Sequence, residues 1–295
     1  MIASILLALQ AGPSLPSSPD PMPAPRPAPT VQAPATATAP VSANSAVETR
    51  YRACTDQIRA NAEAAVATAN AWRTEGGGVH ARMCLGLALS ALERWPQAAT
   101  AFEQAAREAE TARDPRRADF WVQSGNAWVA AGDPARALQA FDAALATPNL
   151  TDPLRGEVHL DRARALVAQN SIAAARAEID RALQLVAADP FAWYLSAALA
   201  RRQNDVARAG TDIARARELA PDNPDVLLLA GTMAGLAGNM AEAERLYRRV
   251  AEGAPDSEAG RAARESLATM REVEVPAPAA PAPAPTQPAP PPQLR

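Results

Sequence analysis

Residues 121–145 read WVQSGNAWVAAGDPARALQAFDAAL, and their pattern indicates how the middle of the chain folds. Asp133 stands directly before Pro134, a combination typical of a helix N-cap followed by proline in the first helical turn. Apolar residues around this pair recur at intervals of three and four, which is the spacing of an amphipathic helix. The stretch is therefore predicted to form two helices joined by a short turn.

The same arrangement recurs along the middle of the chain. Four more Asp-Pro or Asn-Pro pairs predict helix starts, at Asp114-Pro115, Asp152-Pro153, Asp189-Pro190 and Asn223-Pro224. A pattern of alanine, a bulky residue and a small apolar residue returns every 34 to 39 residues, at Ala98/Phe102/Ala105, Ala137/Phe141/Ala144, Ala175/Ile179/Ala182, Ala209/Ile213/Ala216 and Ala243/Tyr247/Val250. Twelve residues before each first alanine lies a small residue, at Gly86, Gly125, Ala163, Ala197 and Gly231. These features indicate helix hairpins that bury their apolar faces by stacking.

At these residues the chain resembles the tetratricopeptide repeat family, and the resemblance covers about residues 45–254. The best unit carries Trp121, Gly125, Trp128, Ala137, Phe141 and Ala144 in the family's order. The resemblance implies an all-α fold, a right-handed α-solenoid of five or six stacked helix-turn-helix hairpins with a cap helix near residues 257–272. Because the units starting near Ser45 and Gly156 match poorly, a count of four hairpins stays open.

The two ends of the chain differ in composition from the middle. Residues 1–11 include the apolar run IASILLAL, which resembles the core of a secretory signal peptide and predicts export to the periplasm. No positively charged segment precedes this run, so a cytoplasmic location is the alternative. Residues 12–44 and 274–295 are rich in proline and alanine and are predicted to be disordered, because they cannot bury a core. Residues 45–273 remain for the solenoid.

Composition argues against several classes of function. The formal net charge is −3, which does not suit a nucleic-acid binder, and all 29 basic residues are arginine, which excludes a P-loop or Schiff-base lysine. No region concentrates catalytic side chains. We therefore expect no enzymatic activity, no cofactor, no metal and no membrane-spanning segment.

The two cysteines, Cys54 and Cys84, are predicted to form a disulfide. In the repeat frame that the resemblance implies, they lie on the first helices of adjacent hairpins, and paired cysteines are usual in an exported protein. The alternative is a metal site, because His80 shares a helix face with Cys84, but no fourth ligand stands at a familiar spacing. In the cytoplasm the two thiols would be free.

The resemblance also implies where a partner would bind. In this family the binding surface is the concave face formed by the first helix of each unit. Carried over by position, that face contains Asp119, Val122, Asn126, Glu157, Leu160, Arg164, Phe191, Tyr194, Arg201 and Arg202. We expect a non-enzymatic scaffold that takes up a segment of a partner protein in this groove. A structural spacer or self-assembling element of the cell envelope, forming homo-oligomers, is the alternative.

Overall fold

The described part of the chain folds into consecutive α-helices that form two compact units. The computed structural model describes residues 43–274, and this range contains thirteen α-helices and no strand, which confirms the all-α prediction. Helices α1–α8 belong to one compact unit and α9–α13 to a second, with the division after Ala187. The predicted signal peptide and nearly all of the two Pro/Ala-rich tails lie outside the described residues.

The first unit contains four consecutive helix pairs. Their bounds are α1 (Ala43–Ala60), α2 (Ala62–Thr74), α3 (Gly78–Ala91), α4 (Trp95–Thr111), α5 (Arg117–Ala130), α6 (Pro134–Leu145), α7 (Asp152–Ala168) and α8 (Ile172–Leu185). Each helix packs on the next one in the chain, and the first helices of successive pairs also touch, α1 with α3 and α5 with α7. This is the packing of stacked helix hairpins.

The second unit contains two further pairs and a final helix. Their bounds are α9 (Pro190–Arg202), α10 (Val206–Leu219), α11 (Pro224–Leu236), α12 (Met240–Gly253) and α13 (Glu258–Glu274). Helix α13 packs against both α12 and α11, and it buries Ala259, Ala263 and Leu267. Ser257 Oγ accepts a hydrogen bond from the Gly260 N–H at 2.9 Å and so caps the start of α13. A helix therefore lies where the sequence predicts the cap helix.

The repeated small and bulky residues pack against each other between the two helices of a pair. A Cβ atom added at Gly86 would lie 2.3 Å from the ring of Phe102, and one at Gly125 would lie 2.4 Å from the ring of Phe141. Where the bulky residue is isoleucine, the small residue is alanine, and all four of these side chains are buried: Ala163 with Ile179 and Ala197 with Ile213. An aromatic ring thus requires glycine opposite it, whereas the smaller isoleucine leaves room for a methyl group.

The five predicted Asp-Pro and Asn-Pro helix caps are confirmed at three positions, Asp133, Asp189 and Asn223. The other two predictions were wrong. Helix α7 is capped by the side chain of Thr151, so Asp152 is its first residue. Asp114 accepts a hydrogen bond from the backbone N–H of Arg116 and binds its guanidinium, and it therefore shapes a turn before α5.

A buried charge network joins α7 to α8. Glu178 is only 5% exposed, and its two carboxylate oxygens lie 2.6 Å from His159 Nδ1 and 2.6 Å from Arg181 Nη1. Arg162 Nε lies 3.4 Å from the same carboxylate. Burial alone would raise the pKa of Glu178, but the hydrogen bond from His159 and the neighbouring positive charges bring it below its usual value. The charged form of Glu178 is therefore stabilised by the folded chain.

Candidate protein-binding site

The predicted groove residues on α5 lie at the surface to different degrees. Asp119 is exposed, while Val122 and Asn126 are half-buried. Asn126 Nδ2 donates a hydrogen bond to Asp161 Oδ2 on α7 at 3.0 Å, and Arg164 Nη1 donates to the other oxygen of Asp161 at 3.0 Å. The structure thus connects Asn126 to Arg164 through Asp161. Sequence reasoning missed Asp161, because no motif or repeat position marks it.

Two of the three predicted residues on α7 are buried. Leu160 is 2% exposed and Arg164 is 4% exposed, whereas Glu157 is half-buried. The guanidinium of Arg164 is turned toward Asp161, one turn earlier on the same helix, rather than toward solvent. A partner cannot contact Leu160 or Arg164 in this arrangement, and we leave both out of the proposed surface.

Aromatic and charged side chains surround the start of α5. His80 packs edge-on against Tyr51, with ring centres 5.8 Å apart. Arg116 binds Asp114 through hydrogen bonds of 3.1 and 2.8 Å. Burial and then the charge of Arg116 lower the pKa of His80, so its ring is neutral near pH 7. Although part of the Asp119 side chain is exposed, desolvation by the surrounding atoms raises its pKa, and the charge of Arg116 opposes this effect.

Cys54 on α1 and Cys84 on α3 are joined by a disulfide, with their Cα atoms 6.3 Å apart. Both residues are buried, and Ala69, Tyr51 and Ile58 pack around them. The bond links the first helix pair to the second. With both sulfurs bonded to each other, neither can serve as a thiolate ligand beside His80. Among the described residues, no three His, Cys, Asp or Glu side chains are grouped to hold a metal ion.

On α9 the predicted residues form a partly exposed surface. The rings of Phe191 and Tyr194 stack with their centres 6.4 Å apart and their planes 19° apart, and both side chains are half-buried. At the other end of α9, Arg201 is half-buried and Arg202 is exposed. Burial lowers the pKa of Arg201. All four residues therefore lie where a partner could contact them.

The charges of two carboxylates on other helices of this compact unit affect the pKa of Tyr194. Asp225 is the second residue of α11 and Glu258 is the first residue of α13. Burial, together with the charges of these two residues, raises the pKa of Tyr194 to about 12. Burial and then the charge of Glu258 also raise the pKa of Asp225. Sequence reasoning left Glu258 out, although it stands 33 residues after Asp225, close to the repeat length.

Family models give an independent view of the chain. The model described as Tetratricopeptide repeat matches residues 85–151, 123–192, 160–224 and 194–258, which together cover more than half of the chain. The chain belongs to the tetratricopeptide repeat family. No curated protein matches this tetratricopeptide repeat chain in sequence.

Solved structures with the same tetratricopeptide fold include PilW, a type IV pilus biogenesis factor. It has a TM-score of 0.60 and 20% identity, and the match covers 74% of this chain and 98% of PilW. The pilF protein of Pseudomonas aeruginosa has a TM-score of 0.56 and 16% identity, with 75% and 99% covered. Yeast Tom70 has a TM-score of 0.59 and 17% identity, with 77% of this chain and 48% of Tom70 covered. At these identities the likeness shows the fold alone.

The family match begins at Leu85, within α3. Helices α1 and α2 precede it, in agreement with the poor match of the tetratricopeptide unit near Ser45. The unit near Gly156 is matched and forms the pair α7–α8, so residues 43–274 hold six helix pairs rather than four. In the same range, every helix is too short or too polar to cross a membrane.

Proposed function

We propose that this chain is a non-enzymatic scaffold that binds an extended segment of a partner protein on the first helices of its repeats. The stacked pair Phe191 and Tyr194 carries the proposal. Seven of the twelve aromatic side chains are buried, but these two rings stay partly exposed on one helix face. Aromatic rings held by a helix offer large contact area with few rotatable bonds, so little conformational entropy is lost on binding.

Each of the two compact units has accessible groove residues of its own. In the first unit the accessible groove residues are Asp119, Val122, Asn126 and Glu157. In the second unit they are Phe191, Tyr194, Arg201 and Arg202. Apolar and aromatic contacts are flanked by charges of both signs, a mixture that suits a protein segment better than a nucleic acid or a lipid surface.

Cross-linking in living cells, followed by capture of a tagged copy, tests this function. Tyr194→Ala combined with Arg201→Ala should weaken capture of the main partner by roughly tenfold, because a central aromatic anchor is removed. Arg248→Ala, on the exposed face of α12, is the matched control and should leave capture unchanged. If the double variant still captures the partner at full strength, α9 is not part of the binding surface.

We further propose that the protein works in the bacterial cell envelope, in the periplasm. The apolar run within residues 1–11 supports export, and a buried disulfide suits an oxidising compartment. PilW, which is similar in fold, is a type IV pilus biogenesis factor. Mass spectrometry of the protein from cells tests this location. An intact Met1 with free Cys54 and Cys84 thiols would indicate the cytoplasm instead.

Self-assembly as a structural element of the envelope is the second candidate function. Leu236 and Met240 flank the turn between α11 and α12, and each is 55% exposed. Exposed apolar side chains of this size favour association with another surface. Sedimentation mass that rises with concentration and falls in a Leu236→Ser, Met240→Ser variant, with no captured partner, would favour this function over protein binding.

A further inference from the structure

Helix α1 buries fewer side chains than a docked helix of its length normally does. Among residues 46–60 of this helix, Cys54 alone is buried, and Tyr51 and Ile58 are half-buried beside it. Helix α13, at the other end of the described chain, buries four residues between positions 258 and 271. Because the burial of apolar surface drives the docking of a helix, α1 gains less from its packing than α13 does.

Polar contacts add little to the docking of α1. Arg50 Nη2 donates a hydrogen bond to Glu75 Oε2 at 2.6 Å, but both side chains are exposed. Ion pairs at such positions contribute little to stability, because water and salt screen them. The disulfide between Cys54 and Cys84 joins α1 directly to α3, and Ala69 of α2 packs beside it. This bond is therefore the strongest restraint between α1 and α3.

The connection between α1 and α2 has the features of a hinge. Helix α1 ends at Ala60 and α2 begins at Ala62, with Asn61 alone between them in an extended backbone conformation. The side chain of Asn61 accepts a hydrogen bond from the Ala64 N–H at 3.0 Å, so α2 has an N-cap of its own. Trp72 of α2 is only 3% exposed. Helix α2 thus has the packing and the cap to stay docked when α1 leaves.

We propose that the oxidation state of Cys54 and Cys84 determines whether α1 docks beside α3 and extends the binding surface formed by the first helices. This inference rests on the proposed function and adds a means of regulation to it. In the thiol form α1 leaves α3 and unfolds, since most of the stability of a helix in a protein comes from its packing. The bound and released forms of α1 therefore correspond to the disulfide and the dithiol.

The redox step is an exchange with the disulfide of an oxidant protein or small molecule. The thiols of Cys54 and Cys84 lose two protons and two electrons, the bond between their sulfurs forms, and the oxidant becomes a dithiol. Both cysteines are buried in the docked form, so a reductant reaches the bond only when α1 opens. The state of α1 is therefore set when the chain first meets an oxidant.

Hydrogen exchange of the full chain, measured by mass spectrometry, tests the docking of α1. Cys54→Ala with Cys84→Ala removes the bond without burying an unpaired hydroxyl. The amides of α1 should lose their protection in this variant, whereas those of α2 and α5–α8 should keep most of theirs. The control is Ile179→Val, which shortens a buried side chain of α8, lowers the overall stability and should leave α1 protected. Protection of α1 in the double alanine variant, or an equal loss in the control, would overturn the proposal.

The natural sequence provides a reversible form of the same test. Chain that is unfolded with dithiothreitol and refolded as the dithiol should exchange like the double alanine variant. Oxidised glutathione should then restore the protection of α1, together with the bond between Cys54 and Cys84. Protection that is already complete in the dithiol, or that does not return with the bond, contradicts control by oxidation.

Partner capture separates this inference from the proposed function. The double alanine variant should capture several-fold less partner than the natural chain for the same amount of protein. Full-strength capture by this variant overturns the regulation, while the scaffold function stands if Tyr194→Ala with Arg201→Ala still loses capture. Full-strength capture by both variants means that the proposed function fails as well.

Discussion

Alanine at Gly231 and alanine at Gly235 should change stability in opposite directions. Both glycines lie in α11, one turn apart, and alanine is favoured over glycine inside a helix by about 1 kcal/mol. A Cβ atom at Gly235 would meet only the Cβ of Ala243, at an ordinary 3.8 Å, whereas one at Gly231 would lie 2.7 Å from the ring of Tyr247. We expect Gly235→Ala to stabilise the protein and Gly231→Ala to destabilise it.

The size of the difference follows from the surroundings of Tyr247. Its side chain is 7% exposed, and its hydroxyl donates a hydrogen bond to Thr232 Oγ1 at 3.2 Å, so the ring cannot easily move away. Overpacking of a core costs about 1–3 kcal/mol, and both variants share the same gain in helix propensity. The free energies of unfolding of the two variants should therefore differ by about 1–3 kcal/mol.

Urea denaturation combined with hydrogen exchange of α11 and α12 measures this difference. A second substitution, Tyr247→Ile, should partly rescue Gly231→Ala, because the pair then matches Ala197 and Ile213 of the same unit. The double variant should lose less stability than the two single variants added together. Equal stability of Gly231→Ala and Gly235→Ala, or no rescue by isoleucine, would refute the argument that ring size dictates glycine at this position.

Three other properties can be measured on the same protein. Removing the disulfide with Cys54→Ser and Cys84→Ser should lower the free energy of unfolding by about 3–4 kcal/mol, judged from loop closure in the unfolded chain, and an unchanged urea midpoint would contradict this. In a spectrophotometric titration one tyrosine should ionise near pH 12, as the pKa of Tyr194 requires, and Asp225→Asn should lower that pKa. Glu178→Gln should destabilise the protein at neutral pH by about 3 kcal/mol. Because the pKa of Glu178 is lowered by folding, that difference should shrink as the pH falls below the usual carboxyl range, in unfolding measured against pH.

The fold could be predicted because the sequence shows which small and bulky residues pack against each other in the core. A bulky residue such as Phe102 needs a small residue such as Gly86 sixteen positions earlier, and the pair recurs with the repeat. Helix starts were less certain, because an Asp before Pro can accept a backbone hydrogen bond either inside a turn or at the start of a helix. Asp114 accepts from the N–H of Arg116, two residues later, and shapes a turn, whereas Asp133 accepts from the N–H of Arg136, three residues later, and caps α6.

The candidate site was predicted less well, for a physical reason. The groove residues were chosen by their position in the repeat, which assumes that equivalent residues are equally exposed. Arg164 is buried, however, and its guanidinium binds Asp161. Surface residues have no obligatory partner within the repeat, so their contacts depend on which side chains the neighbouring helices happen to carry. The repeat pattern therefore places Phe191 and Tyr194 on the first helix of a repeat, but it does not mark Glu258, whose charge helps to raise the pKa of Tyr194.

Asp222 and Asp225 show why the chemistry of such a surface depends on the structure. Both are aspartates near the start of α11, and no sequence pattern distinguishes their roles. Asp222 pairs with Arg249 on the following helix, whereas the charge of Asp225 helps to raise the pKa of Tyr194, and the charge of Glu258 helps to raise the pKa of Asp225. In a repeat protein the backbone positions are nearly periodic but the charges are not, so the charge pairing on the surface differs from one repeat to the next. One or two substitutions on the first helices can therefore change the charge of this surface while the packing of the core stays untouched.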